Sequence, residues 1–451
     1  MQAGTLQRLI AILADAFEAL RVEVPGEQIE KLAILVHRAM STPARHYHTP
    51  EHIFKFLDPA DPILNLTALF HDIIYYQVDM SFLPEIWETL AAYVQTKDGE
   101  LFVAKRLPPD DRLLWFTLDL FELEPGQELT SAPALSEFLS ALVMNKKLAG
   151  LVPEKDLLKM TICVEATIPF REKPASGECY LNSLEDRLVD ICARRQIPMP
   201  RSEIEATLKW AVVFANKDID SFSESDPGKF LDGTWKLLPE TNVALRSRDT
   251  YSIRDFRQAL QKMEVFLSGL KPDHIFSCYH GSPPPEVFEQ MMARAQQNLG
   301  IAREYLQLKW LAMAVLEALA EASGGDAPLS LFMGDMPRGN EKTLNLDDLL
   351  PEIEIPSWVD PASTMYKLLA VGRVSESSFD VKDSPLTLFL YKSLPPDRIE
   401  TLLTQAREMF AGQLKAEDFL AQIDRPVVAV VAKTCAAMVA TRREKLLSFT
   451  H

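Results

Sequence analysis

Apolar residues recur at three- and four-residue intervals along most of the chain. Leu6, Leu9, Ile10, Leu13, Phe17 and Leu20 form one stripe, and Ile29, Leu32, Ala33, Val36 and Met40 form a second after the Pro25-Gly26 break. That spacing lines one face of a helix, so two amphipathic helices open the chain. Pro62 starts another with Leu66, Leu69, Phe70 and Ile73, and the pattern puts His71 and Asp72 on it among apolar neighbours. Ser202 and Glu205 read as a capping box ahead of Ile204, Leu208, Val212 and Ala215, in a helix that runs out at Asn216-Lys217-Asp218. Further helices are predicted over 253–270, 286–320, 399–410 and 427–447, with Pro283-Pro284-Pro285 marking the start of the second of these. No run of alternating strands is predicted, and the fold class is all-α.

The composition shifts after Ala320. Ser323-Gly324-Gly325-Asp326-Ala327-Pro328, then Met336-Pro337-Arg338-Gly339-Asn340, are the kind of Gly/Pro/Asp-rich stretch that separates domains. The predicted organisation is a main domain over 1–322, a linker over 323–352 and a smaller, mainly helical accessory unit over 353–451. That last unit carries one histidine, His451, and no carboxylate–base cluster.

With 47 Lys+Arg against 64 Asp+Glu, the net charge is −17. Such a molecule repels nucleic acid and anionic membrane surfaces, so any anionic substrate has to be drawn in locally. Cys163, Cys179, Cys192, Cys278 and Cys435 are odd in number and far apart, which suggests neither a disulfide framework nor a thiolate zinc site. No apolar run approaches the ~18 residues that span a bilayer. The N-terminal residues read as an amphipathic helix and not as a signal peptide, and a cytoplasmic protein is expected.

Five of the eight histidines fall between His37 and His71, and four of them lie in Arg45-His46-Tyr47-His48-Thr49-Pro50-Glu51-His52 and Phe70-His71-Asp72. Neutral imidazole and ionised Asp are the usual donors for Zn, Mn and Fe, so the cluster suggests a metal site. Thr49 as N-cap and Pro50 at the first helical position fix His52 in the first turn as a ligand. His48, outside the cap, can reach over the site as proton donor to a leaving oxygen. His46 reads as surface or supporting residue, and His37 as a core histidine. With His71 and Asp72 the site still needs a carboxylate from a distant helix. Asp218 is the choice, with Asp220 close behind and Glu165 as a supporting partner for a ligand histidine. Positive charge for an anionic substrate comes from Arg45, Arg171 and Lys217, and Trp115, Trp210 and Trp235 are candidates for a stacking wall.

These phrases carry a resemblance. Tyr47-His48-Thr49-Pro50-Glu51-His52 followed by Ala68-Leu69-Phe70-His71-Asp72 resembles the HD superfamily of metal-dependent phosphohydrolases, and the Tyr-His-x-x-x-His phrase is similar to that of its cyclic-nucleotide phosphodiesterases. The resemblance implies an all-helical fold, a divalent metal (Zn, Mn, Mg or Fe) on His52, His71, Asp72 and Asp218, and His48 as general acid. Tyr75 stands where the phosphodiesterases have a further histidine. The expected function is hydrolysis of a small phosphate-containing substrate, a phosphomonoester or phosphodiester such as a nucleotide: water activated by the metal attacks phosphorus and His48 protonates the leaving group. The alternative is a catalytically degenerate HD domain that binds a ligand and signals to a protein partner, or self-associates, through the C-terminal unit. A third class, a two-iron oxygenase, lacks histidine ligands here.

Overall fold

The computed structural model describes residues 4–132, 134–171, 179–247, 250–335 and 344–451. The apolar stripes form helices, which make up 65% of the chain, and the fold is all-α as the periodicity predicts. The opening pair spans Thr5–Ala19 and Gly26–Met40, with Leu9, Leu13, Phe17, Leu32 and Val36 turned inward. Two short strands, Val94–Lys97 and Glu100–Val103, make an antiparallel hairpin that the sequence reading did not anticipate. Its turn, Asp98-Gly99, has φ of 55° and 90°, the left-handed pair that tight hairpins require and that Gly adopts without strain.

The chain divides into two compact units. One comprises Met1–Phe222 with Lys271–Ala293, the other Ser223–Leu270 with Arg294–His451. In the first, the helices Leu135–Leu148 and Glu154–Ala166 are buried on nearly every side, as helices of a core are. Around them pack Pro62–Phe70, Arg112–Leu120 and Arg201–Asp218. Asn145, deep in this packing, is satisfied internally: its Nδ2 donates to Thr117 Oγ1 and Thr161 Oγ1, each at 2.9 Å.

Unit boundaries fall elsewhere than the Gly/Pro-rich stretch suggested. Met336 to Asn340 lie outside the described residues. On either side, 323–335 holds the helix Leu329–Met333 with buried Leu329 and Phe332, and Leu346 is also buried, so these described flanks belong to the second unit's core. The long helix Pro285–Ser323 continues past 320, and its buried polar groups find partners far along the chain. Lys309 Nζ and Trp235 Nε1 each donate to Asp380 Oδ2 at 2.8 Å, Arg373 Nη1 reaches the same oxygen at 3.2 Å, and Tyr305 lies 3.0 Å from Ser384. Two turns further along the same helix, Arg257 forks onto Glu317 at 2.8 and 2.9 Å. Residues beyond 322 therefore neutralise charges buried before it. The helix predicted over 427–447 is interrupted, running Arg425–Met438 and then Arg443–Leu447 with a 3-10 turn between.

Lys309 and Asp380 are both under a tenth exposed. Removing one partner of a buried ion pair leaves an uncompensated charge, which costs about 3–5 kcal/mol. Asp380→Ala is therefore expected to destabilise the chain by about that amount in urea titration, and a fragment ending at 322 to be insoluble or unfolded beyond 293. A soluble, cooperatively folding 1–322 fragment would contradict this division.

Candidate metal centre

Thr49 is the N-cap and Pro50 the first residue of a single helical turn, Pro50–Ile53, though the Thr49 side chain makes no capping bond. The turn buries His52. Pro62–Phe70 begins at Asp61, whose carboxylate accepts from Leu64 N, and ends at Phe70. His71 is its C-cap and Asp72 lies just past the end, not within the helix as the periodicity suggested. Leaving the helix there lets both side chains turn to one point. Arg201–Asp218 delivers the fourth group from its last residue; it starts after Pro200 with no side-chain cap, so Ser202 and Glu205 form no capping box.

Ligand atoms of His52, His71, Asp72 and Asp218 all lie within 4.8 Å of one another, and this group is able to hold a metal ion. His52 Nε2 is 2.9 Å from Asp218 Oδ1 and 3.9 Å from Asp72 Oδ2. His71 Nε2 is 3.2 Å from Asp72 Oδ2 and 3.5 Å from Asp218 Oδ1. At its other nitrogen, Nδ1, His71 is 2.8 Å from the Ala68 carbonyl. A carbonyl only accepts, so Nδ1 carries the proton and Nε2 of the neutral ring presents a lone pair. That lone pair, buried and without a hydrogen-bond partner, faces two anionic oxygens. Such an arrangement calls for a positive charge at its centre, either a proton or a cation, and the donors fit a divalent ion. The fit is less complete at His52, whose buried Nδ1 has no acceptor. Phe56 and Phe214 pack against the His71 ring at 5.0 and 5.5 Å, and exclude water from that side.

The electrostatics follow from this crowding. Burial opposes an imidazolium at His71, yet the Asp72 charge and the close Asp218 carboxylate prevail and hold its pKa well above 6.5. Burial likewise works against ionisation of Asp72, but His71, with His48 and His52 behind it, takes the carboxyl far below its usual range. Asp218 is lowered too: the hydrogen bonds from His52 and His71 outweigh its burial and the repulsion of Asp72.

His48 stands outside the ligand group. It is partly exposed, 4.4 Å ring to ring from Tyr75, 5.0 Å from Tyr47 and 5.9 Å from His52. Tyr47, whose hydroxyl is 3.2 Å from Ser221 Oγ, has its phenol pushed up by burial. Asp220 is exposed and not among the four.

The three cations expected to receive substrate have other duties. Arg45 is buried: Nε and Nη2 clamp Asp79 at 3.0 and 2.6 Å, and Nη1 donates to the Asp72 carbonyl at 2.7 Å. Its fork thus fixes the backbone of the loop that carries a ligand. Lys217 donates to the Phe56 carbonyl at 3.2 Å, and Arg171 bonds Glu165 Oε1 at 3.0 Å. Glu165 therefore serves Arg171 and Arg187, not a ligand histidine. Trp210 donates to Asp61 and Trp115 to the Pro108 carbonyl, while Trp235 belongs to the second unit. One group escaped the sequence reading. Burial pushes the Glu137 carboxyl up to about 7, with the Asp72 and Asp218 charges adding to the rise. Its signal was the lone acid of the largely buried helix Leu135–Leu148.

A folded-state pKa above the unfolded one means that protonated His71 contributes stability below pH 6.5, and that this is lost as pH rises through the folded value. A divalent ion displaces that proton. The metal-free protein is expected to melt at lower temperature as pH rises above 6.5, and the gain in Tm on adding Zn2+ or Mn2+ to grow over the same interval with release of about one proton. Scanning fluorimetry with proton-release titration checks this; a gain independent of pH, without proton release, would contradict it. In comparison with known proteins, no protein-family model, no curated protein and no solved structure matches the chain, so its reading rests on this geometry.

Proposed function

We propose that the protein is a metal-dependent hydrolase of small phosphate esters, with His52, His71, Asp72 and Asp218 holding a divalent ion of the Zn, Mn, Mg or Fe kind. The observation that carries this reading is the convergence of two imidazole nitrogens and two carboxylates within 4.8 Å, with a third imidazole, His48, beside them but outside the group. The HD-superfamily resemblance of the same residues agrees with it. When bound, the ion supplies Lewis acidity and acidifies water, so that a nucleophile is present at neutral pH. His71 is kept in the binding tautomer by Ala68, and Arg45 holds the Asp72 backbone in place. A ring nitrogen of His48 carries the proton that the leaving oxygen needs, and its partial exposure lets it recover that proton from solvent. With Arg45, Arg171 and Lys217 engaged elsewhere, attraction of the phosphate falls to the ion itself. The substrate is a phosphomonoester or phosphodiester and not a polynucleotide, which a net charge of −17 repels. Five free cysteines suit a reducing, cytoplasmic location.

A second reading is a ligand-binding module without turnover. It is favoured by Tyr75, which packs edge-on against His48 at 4.4 Å and restrains that imidazole.

Loaded with Mn2+ or Zn2+, the full chain is expected to hydrolyse p-nitrophenyl phosphate or bis(p-nitrophenyl) phosphate. His48→Ala should keep the metal and lower turnover by ~10²–10⁴-fold, the range for a lost general acid. Asp72→Ala should lose both metal and turnover. Metal loss in the His48 variant would make His48 a ligand, and equal absence of turnover in all three proteins would leave the binding module as the reading.

A further inference from the structure

The first unit contains a cavity of about 180 Å³ that shares no lining residue with the four-ligand group. Its walls come from residues 166–171, the start of Tyr180–Arg195, the end of Arg201–Asp218, and the segment 273–278. Phe170, Tyr180, Phe276 and Phe288 line it with aromatic rings. An apolar space of roughly 150 Å³ accepts one benzene ring, so this one fits a single ring with a small substituent.

Three further features indicate what that substituent is. Phe170 has φ of 54°, a conformation costly for a bulky side chain and typical of sites where the surroundings impose a position. The Arg171 guanidinium stacks over Tyr180 at 4.4 Å and uses three of its five N–H groups, on the Ile168 carbonyl, Glu165 Oε1 and the Glu165 carbonyl. Two remain without an acceptor among the described residues. Glu165 also takes Arg187 at 2.8 Å, and Arg187 in turn lies 3.3 Å from Glu122, so the carboxylate that faces Arg171 is shared between two guanidiniums. His274, also lining the cavity, makes no side-chain hydrogen bond or ion pair among the described residues, whereas the cavity's carboxylate, Asp273, already has a partner.

The geometry points to a binding site for a small monocyclic aromatic anion, an aryl carboxylate or aryl phosphate, its ring among the four aromatic side chains and its anionic group toward Arg171 and His274. The site lies behind the turn that carries Asp218. Ala215, Asn216 and Ile219 border the cavity while Asp218 faces His52 and His71. Asn216 secures the far wall through Ser277, donating to its carbonyl at 2.8 Å and accepting from its N–H at 3.0 Å. Occupancy therefore needs no metal and no hydrolysis, and stands or falls independently of the proposed activity.

The test uses the full chain in excess EDTA, with 4-fluorobenzoate and phenyl phosphate as probes, followed by fluorine NMR and calorimetry. Saturable binding is expected, at least about tenfold tighter than that of cyclohexanecarboxylate or benzamide, since one lacks the flat ring and the other the charge. Ala215→Leu, which fills the cavity, should abolish binding, and His274→Ala, on a partly exposed residue, should weaken it about tenfold with an unchanged melt. Absence of saturable binding up to about 10 mM, equal affinity for cyclohexanecarboxylate, a requirement for added metal, or unchanged binding in a correctly folded His274→Ala protein would each overturn the proposal.

Discussion

The feature on which the rest of the site depends is a single hydrogen bond, from His71 Nδ1 to the Ala68 carbonyl at 2.8 Å. It uses a carbonyl left free at the end of a helix to fix which nitrogen of a buried ring keeps its proton. Everything else at the centre follows. The opposite nitrogen must present a lone pair, and the nearest groups to it are carboxylate oxygens of Asp72 and Asp218 at 3.2 and 3.5 Å. A neutral ring against two anions is electrostatically unfavourable in a site walled by Phe56 and Phe214, and a positive charge resolves it. The elevated His71 and depressed Asp72 pKa values are that same demand expressed with a proton.

Holding four donors from three chain segments at one point takes support of its own. The helix Pro62–Phe70 ends where it does so that His71 and Asp72 leave the helix together. The loop after them is then tied down by Arg45, whose five N–H groups suit simultaneous bonding to Asp79 and to the Asp72 carbonyl. Ser140 adds a second restraint by accepting from Ile74 N at 3.1 Å. The second unit is organised on a similar principle, with Asp380 receiving Trp235, Lys309 and Arg373, but there Asp232, 3.8 Å from Arg373, supplies a second carboxylate against the two cations.

The grouping of two histidines and two aspartates was legible because its chemistry is carried by residue type and short spacing. His52, His71 and Asp72 stand in two compact phrases, and Asp218 sits where a periodic helix runs out, so local pattern located each one. Roles set by long-range pairing were not legible. Arg45 beside the motif read as a substrate contact, and only the fold brings Asp79 against it. The same holds for Lys309 and Asp380, whose pairing across the Gly/Pro-rich stretch removes the boundary that composition suggested there. The hairpin at Asp98-Gly99 did have a local signal, but its strands are only four residues each and do not alternate cleanly. Glu137 is the reverse case: a charge in a buried helix was visible, and its meaning depends on two carboxylates brought near it by other segments.

The central claim is that two imidazoles and two carboxylates of this chain share one ion. X-ray absorption on the full chain loaded with one equivalent of Zn2+ tests it most directly. The account predicts a first shell of two nitrogens at about 2.0–2.1 Å and carboxylate oxygens at about 2.0–2.2 Å, with no sulfur, and loss of one nitrogen in His71→Ala. A shell containing sulfur at about 2.3 Å, or one unchanged by that substitution, would contradict it.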